Sequence, residues 1–126
     1  MLIRYSKNFE KGKKELKKKH KVEELDMLDS IVMLIKRSDT YELMKNSPLA
    51  YLYGFEELKD DKNGFFSFRL SKKRSPIRLI GRYQDNIVTI QLVYISMDHY
   101  NDFNPRGVIL YETGISVTKA MLYIIF

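Results

Sequence analysis

The sequence predicts an α+β domain in which an N-terminal strand and a helix hairpin pack on a mainly antiparallel sheet. Three observations lead there. Between Val22 and Ile35, apolar residues recur at three- and four-residue steps, the period of an amphipathic helix. From Phe65 the period drops to two, which is the alternation of a strand. The connections between the later segments are short, and short connections join antiparallel neighbours. A chain of 126 residues is enough for one domain with one hydrophobic core.

Met1 to Tyr5 reads as a short strand, with Ser6 placed to cap the helix that follows. Lys7 to Lys21 is a very basic helix whose apolar side is thin, consisting of Phe9 and Leu16. Val22, Leu25, Leu28, Ile31, Val32 and Ile35 then form the stripe of a second helix ending near Arg37-Ser38. Thr40 to Asn46 adds a helical turn before Pro48 breaks it. In the next strand Phe66, Phe68 and Leu70 fall on one face, and Phe65, Ser67 and Arg69 on the other. Ser71 to Pro76 is a basic turn, Ile77 to Tyr83 a strand, Gln84-Asp85-Asn86 a tight turn, and Ile87 to Met97 a further strand. After Phe103, Asn104 to Gly107 is a turn, and the apolar stretches beyond it are expected to pack on this domain or on a partner.

Charge is distributed in blocks. Residues 1–21 hold nine Lys/Arg against two acids, and residues 22–58 hold three against eight. Residues 59–82 then hold eight against two. Two basic blocks separated by an acidic one suggest a surface that faces a polyanion, although a solvated lysine-rich helix face accounts equally well for residues 7–21. There is no cysteine, which excludes disulfides and thiolate metal sites and agrees with a reducing cytoplasm. Met1-Leu2-Ile3 is followed at once by Arg4, so no secretory leader is expected. The longest apolar stretch, Ala120 to Phe126, falls far below the roughly 20 residues that span a bilayer. A cytoplasmic protein without a membrane partner is the expectation.

Arg78 and Arg82 are four apart on one strand, so they share a face, and Arg69 on the neighbouring strand can join them. Guanidinium forks bind phosphate in a bidentate manner and keep their charge at any working pH. Glu56 and Glu57, in a loop entering the sheet, offer a general base, and Lys59 sits beside them. His99 is suited to proton transfer near neutral pH and is followed by Tyr100. His20, embedded in lysines, reads as a surface residue. Two histidines so placed give no metal-ligand spacing, and neither a glycine-rich phosphate loop nor a nucleophile elbow is present, so no cofactor is expected.

Four segments in this order carry a resemblance: Tyr53-Gly54-Phe55-Glu56-Glu57-Leu58-Lys59, Asn63-Gly64-Phe65-Phe66-Ser67-Phe68-Arg69-Leu70, Ile77-Arg78-Leu79-Ile80-Gly81-Arg82-Tyr83, and His99-Tyr100. Together they resemble the RelE/ParE superfamily of type II toxin–antitoxin toxins, and most closely its RelE/YoeB-type mRNA endonucleases. The resemblance implies a RelE-like domain over residues 1–103, followed by a C-terminal extension, residues 104–126. It implies metal-independent mRNA cleavage on the ribosome, with the 2′-hydroxyl attacking the adjacent phosphate. Glu56 would be the base, with Glu57 competing for that role. Arg78 would clamp the phosphate with Arg69 assisting, His99 would be the acid, and Tyr100 would orient or stack on a nucleobase. Lys59, Arg82, Lys72, Lys73 and Arg74 would contact the RNA backbone.

The implied partners are a cognate antitoxin protein, mRNA and the ribosome, in a toxin–antitoxin hetero-oligomer or a homodimer. Members of this branch commonly end just after the His-Tyr pair, whereas this chain continues to Phe126. The extension would cover the site, mediate dimerisation or replace antitoxin contacts. The rival readings are a non-catalytic RNA- or ribosome-binding module and a ParE-like gyrase poison. The latter carries no comparable set of Glu, Arg and His.

Overall fold

Ser6 turns the chain from strand to helix with a single hydroxyl. In the computed structural model, which describes residues 1–71, 74–84 and 89–106, β1 (Leu2–Tyr5) leads through Ser6 into α1 (Lys7–Lys18). The Ser6 hydroxyl accepts from the backbone N of Phe9 at 3.0 Å, satisfying a first-turn amide, and donates to the Val93 carbonyl at 2.8 Å. One residue therefore caps the helix and fastens its start to the sheet. As expected, Phe9 and Leu16 are buried. The helix is shorter than the sequence suggests. It stops at Lys18 because His20 takes a left-handed φ of 53° and Lys21 N donates back to Leu16 O at 3.0 Å.

α2 (Val22–Arg37) buries Met27, Leu28, Ile31, Leu34 and Ile35. Val22 is 63% exposed, so the buried stripe is rotated from the expected one toward Met27 and Leu34. The expected helical turn is α3 (Tyr41–Lys45), capped by Thr40. Pro48 ends that turn and also opens α4 (Pro48–Leu52), because the first position of a helix needs no N–H. Among the described residues, no helix is long and apolar enough to cross a membrane.

The sheet contains β2 (Glu56–Glu57), β3 (Phe65–Arg69), β4 (Arg78–Gln84) and β5 (Thr89–Ser96), in the order β1-β5-β4-β3-β2. The β3-β4-β5 meander is antiparallel, as expected from its short connections. β1 pairs with β5 in parallel, although the four helices and three strands of the sheet lie between them in the chain. The acidic pair placed in a loop by sequence is instead a two-residue edge strand paired with β3. The Gln84-Asp85-Asn86 turn beyond Gln84, the expected strand start at Ile87, Lys72-Lys73 and residues 107–126 of the extension lie outside the described residues.

Two cores hold the sheet. The larger lies under the helices and joins Phe9, Leu28, Ile31 and Ile35 to Phe66, Phe68, Leu79, Ile90 and Leu92. The smaller lies on the opposite face and joins Leu58, Phe65, Ile80, Val93 and Phe103. A bulge between Ile80 and Gly81 gives β5 one extra residue, Val93, whose side chain enters this second core. Phe103 arrives there because the chain after β5 folds back across the sheet, setting its ring 5.0 Å from Phe65 and 5.6 Å from Tyr94.

Candidate active site

Strand register decides which charged groups meet. Arg69 pairs with Arg78, Ser67 with Ile80, Phe65 with Arg82, and Glu56 with Ser67. Cross-strand partners share a face and successive residues alternate, so Glu56, Arg69, Arg78 and Arg82 all belong to the face turned away from the helices. Glu57 belongs to the other face. There it accepts a 2.7 Å hydrogen bond from the Tyr41 hydroxyl and pairs with Lys45 at 3.3 Å. The Tyr41 bond, with Lys45 behind it, holds the Glu57 carboxyl below the usual glutamate value. Glu56 is exposed and forms no ion pair among the described residues.

Arg69 and Arg78 stand directly opposite each other, an arrangement that destabilises a sheet. Neither is ion-paired to a carboxylate among the described residues. Backbone carbonyls hold them instead. Arg78 Nη1 donates to Ser75 O at 2.6 Å and Ile77 O at 3.1 Å, while Arg69 Nη2 lies 3.4 Å from Leu52 O. Arg69 also runs against Gly54, whose φ is +71°, and a Cβ there would lie 2.2 Å from Arg69 Nε. Partial burial, and after it the charge of Arg69, push the Arg78 pKa down, while Glu56 and Tyr100 push it back up. Glu56, Arg69, Arg78 and Tyr100 are thus one electrostatic group. Two guanidiniums held by neutral carbonyls outnumber the single Glu56 carboxylate and leave net positive charge on the open face, which suits an anion.

Arg82 is set apart. It is largely withdrawn into the sheet, with Nε donating to Gln91 Oε1 at 3.0 Å and its guanidinium 6.0 Å from the Phe65 ring centroid; burial lowers its pKa. Beside Glu56, a cavity of about 240 Å³ is lined by residues 56–62 and Tyr100, and it brings Lys59 and Lys62 to the same edge. The Lys62 ammonium lies 6.0 Å from the centre of the Tyr100 ring. Two larger grooves, of about 420 and 770 Å³, run along α2 and α4 on the helix side and hold none of these groups.

His99 and Tyr100 occupy the turn after β5, and both have left-handed backbones, at φ 51° and 59°. For residues with a Cβ, that conformation costs roughly 1–2 kcal/mol each. His99 N donates to Pro76 O at 2.6 Å, tying the turn to the segment that leads into Arg78. The two rings lie 4.7 Å apart, tilted by 34°. Among the described residues, no three side chains come together as metal ligands.

No protein-family model matches this sequence, and no curated protein matches it. Solved structures do. Over 77% of this chain and 92% of the other, it superposes on YafQ from E. coli strain BL21(DE3) with a TM-score of 0.55 at 20% identity. The YoeB/ParE toxin from Agrobacterium tumefaciens gives 0.56 at 15% identity, over 77% of this chain and 98% of that one. The YoeB–YefM complex from Staphylococcus aureus gives 0.53 at 18% identity, over 76% and 95%. This is the RelE-like toxin fold.

Within the RelE-like fold, the face left open by the helices gathers Glu56, Arg69, Arg78 and Tyr100, with His99 in the adjoining turn and Lys59 at the edge. Arg74 is exposed in the segment leading to β4. Lys72 and Lys73 lie outside the described residues. Three residues that shape this face were not singled out from sequence: Ser96, Asp102 and, as a core residue, Phe103. Ser96 Oγ donates to Asp102 Oδ1 at 2.5 Å and accepts from Tyr100 N at 2.7 Å. A large aromatic following the polar run 98–102 was the available signal, because such a residue returns a turn to a core.

Proposed function

We propose that this chain is the toxin of a type II toxin–antitoxin module and cleaves mRNA on the ribosome with its own side chains. The observation that carries the reading is the Arg69–Arg78 pair, two like charges set opposite each other with no ion pair to a carboxylate among the described residues, beside Glu56 and Tyr100. A fold tolerates that repulsion where an anion relieves it.

The scissile phosphate sits on the two guanidiniums, which neutralise the charge gained as its phosphorus becomes five-coordinate. Glu56 removes the proton of the 2′-hydroxyl, and that oxygen bonds to phosphorus as the bond to the 5′-oxygen breaks. His99 delivers a proton to the departing 5′-oxygen, and Tyr100 stacks on a neighbouring base. Lys59, Arg74 and the rest of the basic block hold the flanking backbone, and Arg82 supports the sheet beneath. The partner is a cognate antitoxin offering acidic groups to this face. The solved YoeB–YefM structure, a two-protein complex on the same fold, supports such pairing. The site of action is the cytoplasm.

Inducing the protein in cells and mapping mRNA ends tests this. New ends are expected with the native chain and none with Arg78→Ala, while Glu56→Ala and His99→Ala slow their appearance by about 10²–10⁴-fold. Growth arrest with intact mRNA and broken DNA would instead indicate gyrase poisoning. Salt-sensitive RNA binding without cutting would indicate a binding module.

A further inference from the structure

The turn that carries His99 and Tyr100 is organised around one buried hydroxyl. Ser96 is fully buried at the end of β5, and its Oγ uses its complete bonding capacity. It donates to Asp102 Oδ1 at 2.5 Å and accepts from Asp98 N at 3.1 Å and Tyr100 N at 2.7 Å. The second Asp102 oxygen accepts from Tyr94 OH at 3.3 Å and from Met97 N at 3.4 Å. The loop from Met97 to Asp102 is therefore closed on itself from inside, and Phe103 seals it against Phe65.

A turn that only reversed the chain would not need this construction. Two successive left-handed positions are where glycine is least costly, yet the sequence has His99 and Tyr100 there. Strain accepted in the backbone of two residues whose tilted rings lie 4.7 Å apart, with Tyr100 within electrostatic reach of Arg78, indicates that their placement is what the network secures. We propose that Ser96 and Asp102 are positioning residues, which hold His99 and Tyr100 in their strained conformation against the Arg69–Arg78 face. The role assigned to them rests on the RNA-cleaving reading of that face. Neither residue touches the reacting atoms. They act through the two that do.

The test uses the full chain and two independent readouts. NMR of the His99 ring protons reports its stacking on Tyr100, since a ring at 4.7 Å shifts them upfield. Steady-state cleavage of a ribosome-bound message separates kcat from KM. Ser96→Ala and Asp102→Ala are each expected to abolish the upfield shift and lower kcat by about tenfold to 100-fold, with KM changed less than about twofold. Asp102→Asn, which keeps the acceptor for Ser96 but sets a donor against Met97 N, is expected to fall between the native chain and Asp102→Ala in both. Asp102 is exposed, so its variants remain informative if Ser96→Ala does not fold. An unchanged His99 shift and kcat in Asp102→Ala, with only thermal stability reduced, would overturn the proposal and leave a structural staple. A native chain that cuts no RNA would instead overturn the enzymatic reading, and the NMR arm would still decide whether the network positions the pair.

Discussion

Replacing Gly54 with alanine separates backbone strain from damage to the arginine pair. The backbone there has φ +71°, so an alanine costs roughly 1–2 kcal/mol. The new methyl would also lie 2.2 Å from Arg69 Nε, 2.9 Å from its Cγ and 3.0 Å from its Cδ. Arg69 is long and exposed, so it swings away at little further cost to folding. Its guanidinium then leaves its place opposite Arg78. Gly64→Ala is the control, because its φ is +94° and nothing lies within 4 Å of the added Cβ. Denaturant unfolding is expected to show both variants destabilised by about 1–2 kcal/mol. RNA binding measured across salt concentrations is expected to separate them: Gly54→Ala loses about one phosphate contact, lowering the log–log slope by about 0.7, while Gly64→Ala keeps the native slope. In an Arg69→Ala background, Gly54→Ala should have no further effect on binding. Equal RNA affinity and slope in the two glycine variants would refute the claim that Arg69 is held in place over Gly54 to meet the ligand.

The two adjacent glutamates should part company. Because the Glu57 carboxyl is held below its ordinary value of 4.5, it adds stability above that pH and loses it as pH falls through the lowered value. Glu57→Gln should therefore be less stable than native at pH 7, with the gap closing below pH 4.5 in pH-dependent denaturation and with cleavage intact. Glu56→Gln should do the reverse, leaving stability unchanged and slowing cleavage. Phe103→Ala should cost about 3–5 kcal/mol in chemical unfolding, as expected for deleting a buried aromatic. A loss below about 1 kcal/mol would mean that the segment after β5 is not docked on the sheet.

Local rules made much of the architecture legible. Ser6 caps α1, Phe9 and Leu16 are its buried side, and the meander follows from its short connections. What escaped depends on contacts distant in sequence. Phe65 to Phe68 are all buried, so alternation did not reveal which face is open; Phe103, more than thirty residues later, covers Phe65. A two-residue edge strand such as β2 is too short to carry a period, so the sequence left Glu56 and Glu57 interchangeable. Register resolves them, because pairing with Ser67 and with Phe66 puts them on opposite faces. Arg82 is an equal partner of Arg78 by spacing, yet Gln91 and Phe65 draw it into the sheet. The Ser96–Asp102 network consists of ordinary polar residues, and only the fold-back of the chain brings them together.

The chemistry of the cut ends tests the central claim most directly. If Glu56 activates a 2′-hydroxyl against a phosphate held by Arg69 and Arg78, the purified chain acting on a ribosome-bound message leaves 2′,3′-cyclic phosphate and 5′-hydroxyl ends. A message with a single 2′-deoxy nucleotide at the cut position then stays whole. Ends bearing 3′-hydroxyl and 5′-phosphate, or cutting of the deoxy-substituted message, would contradict the account.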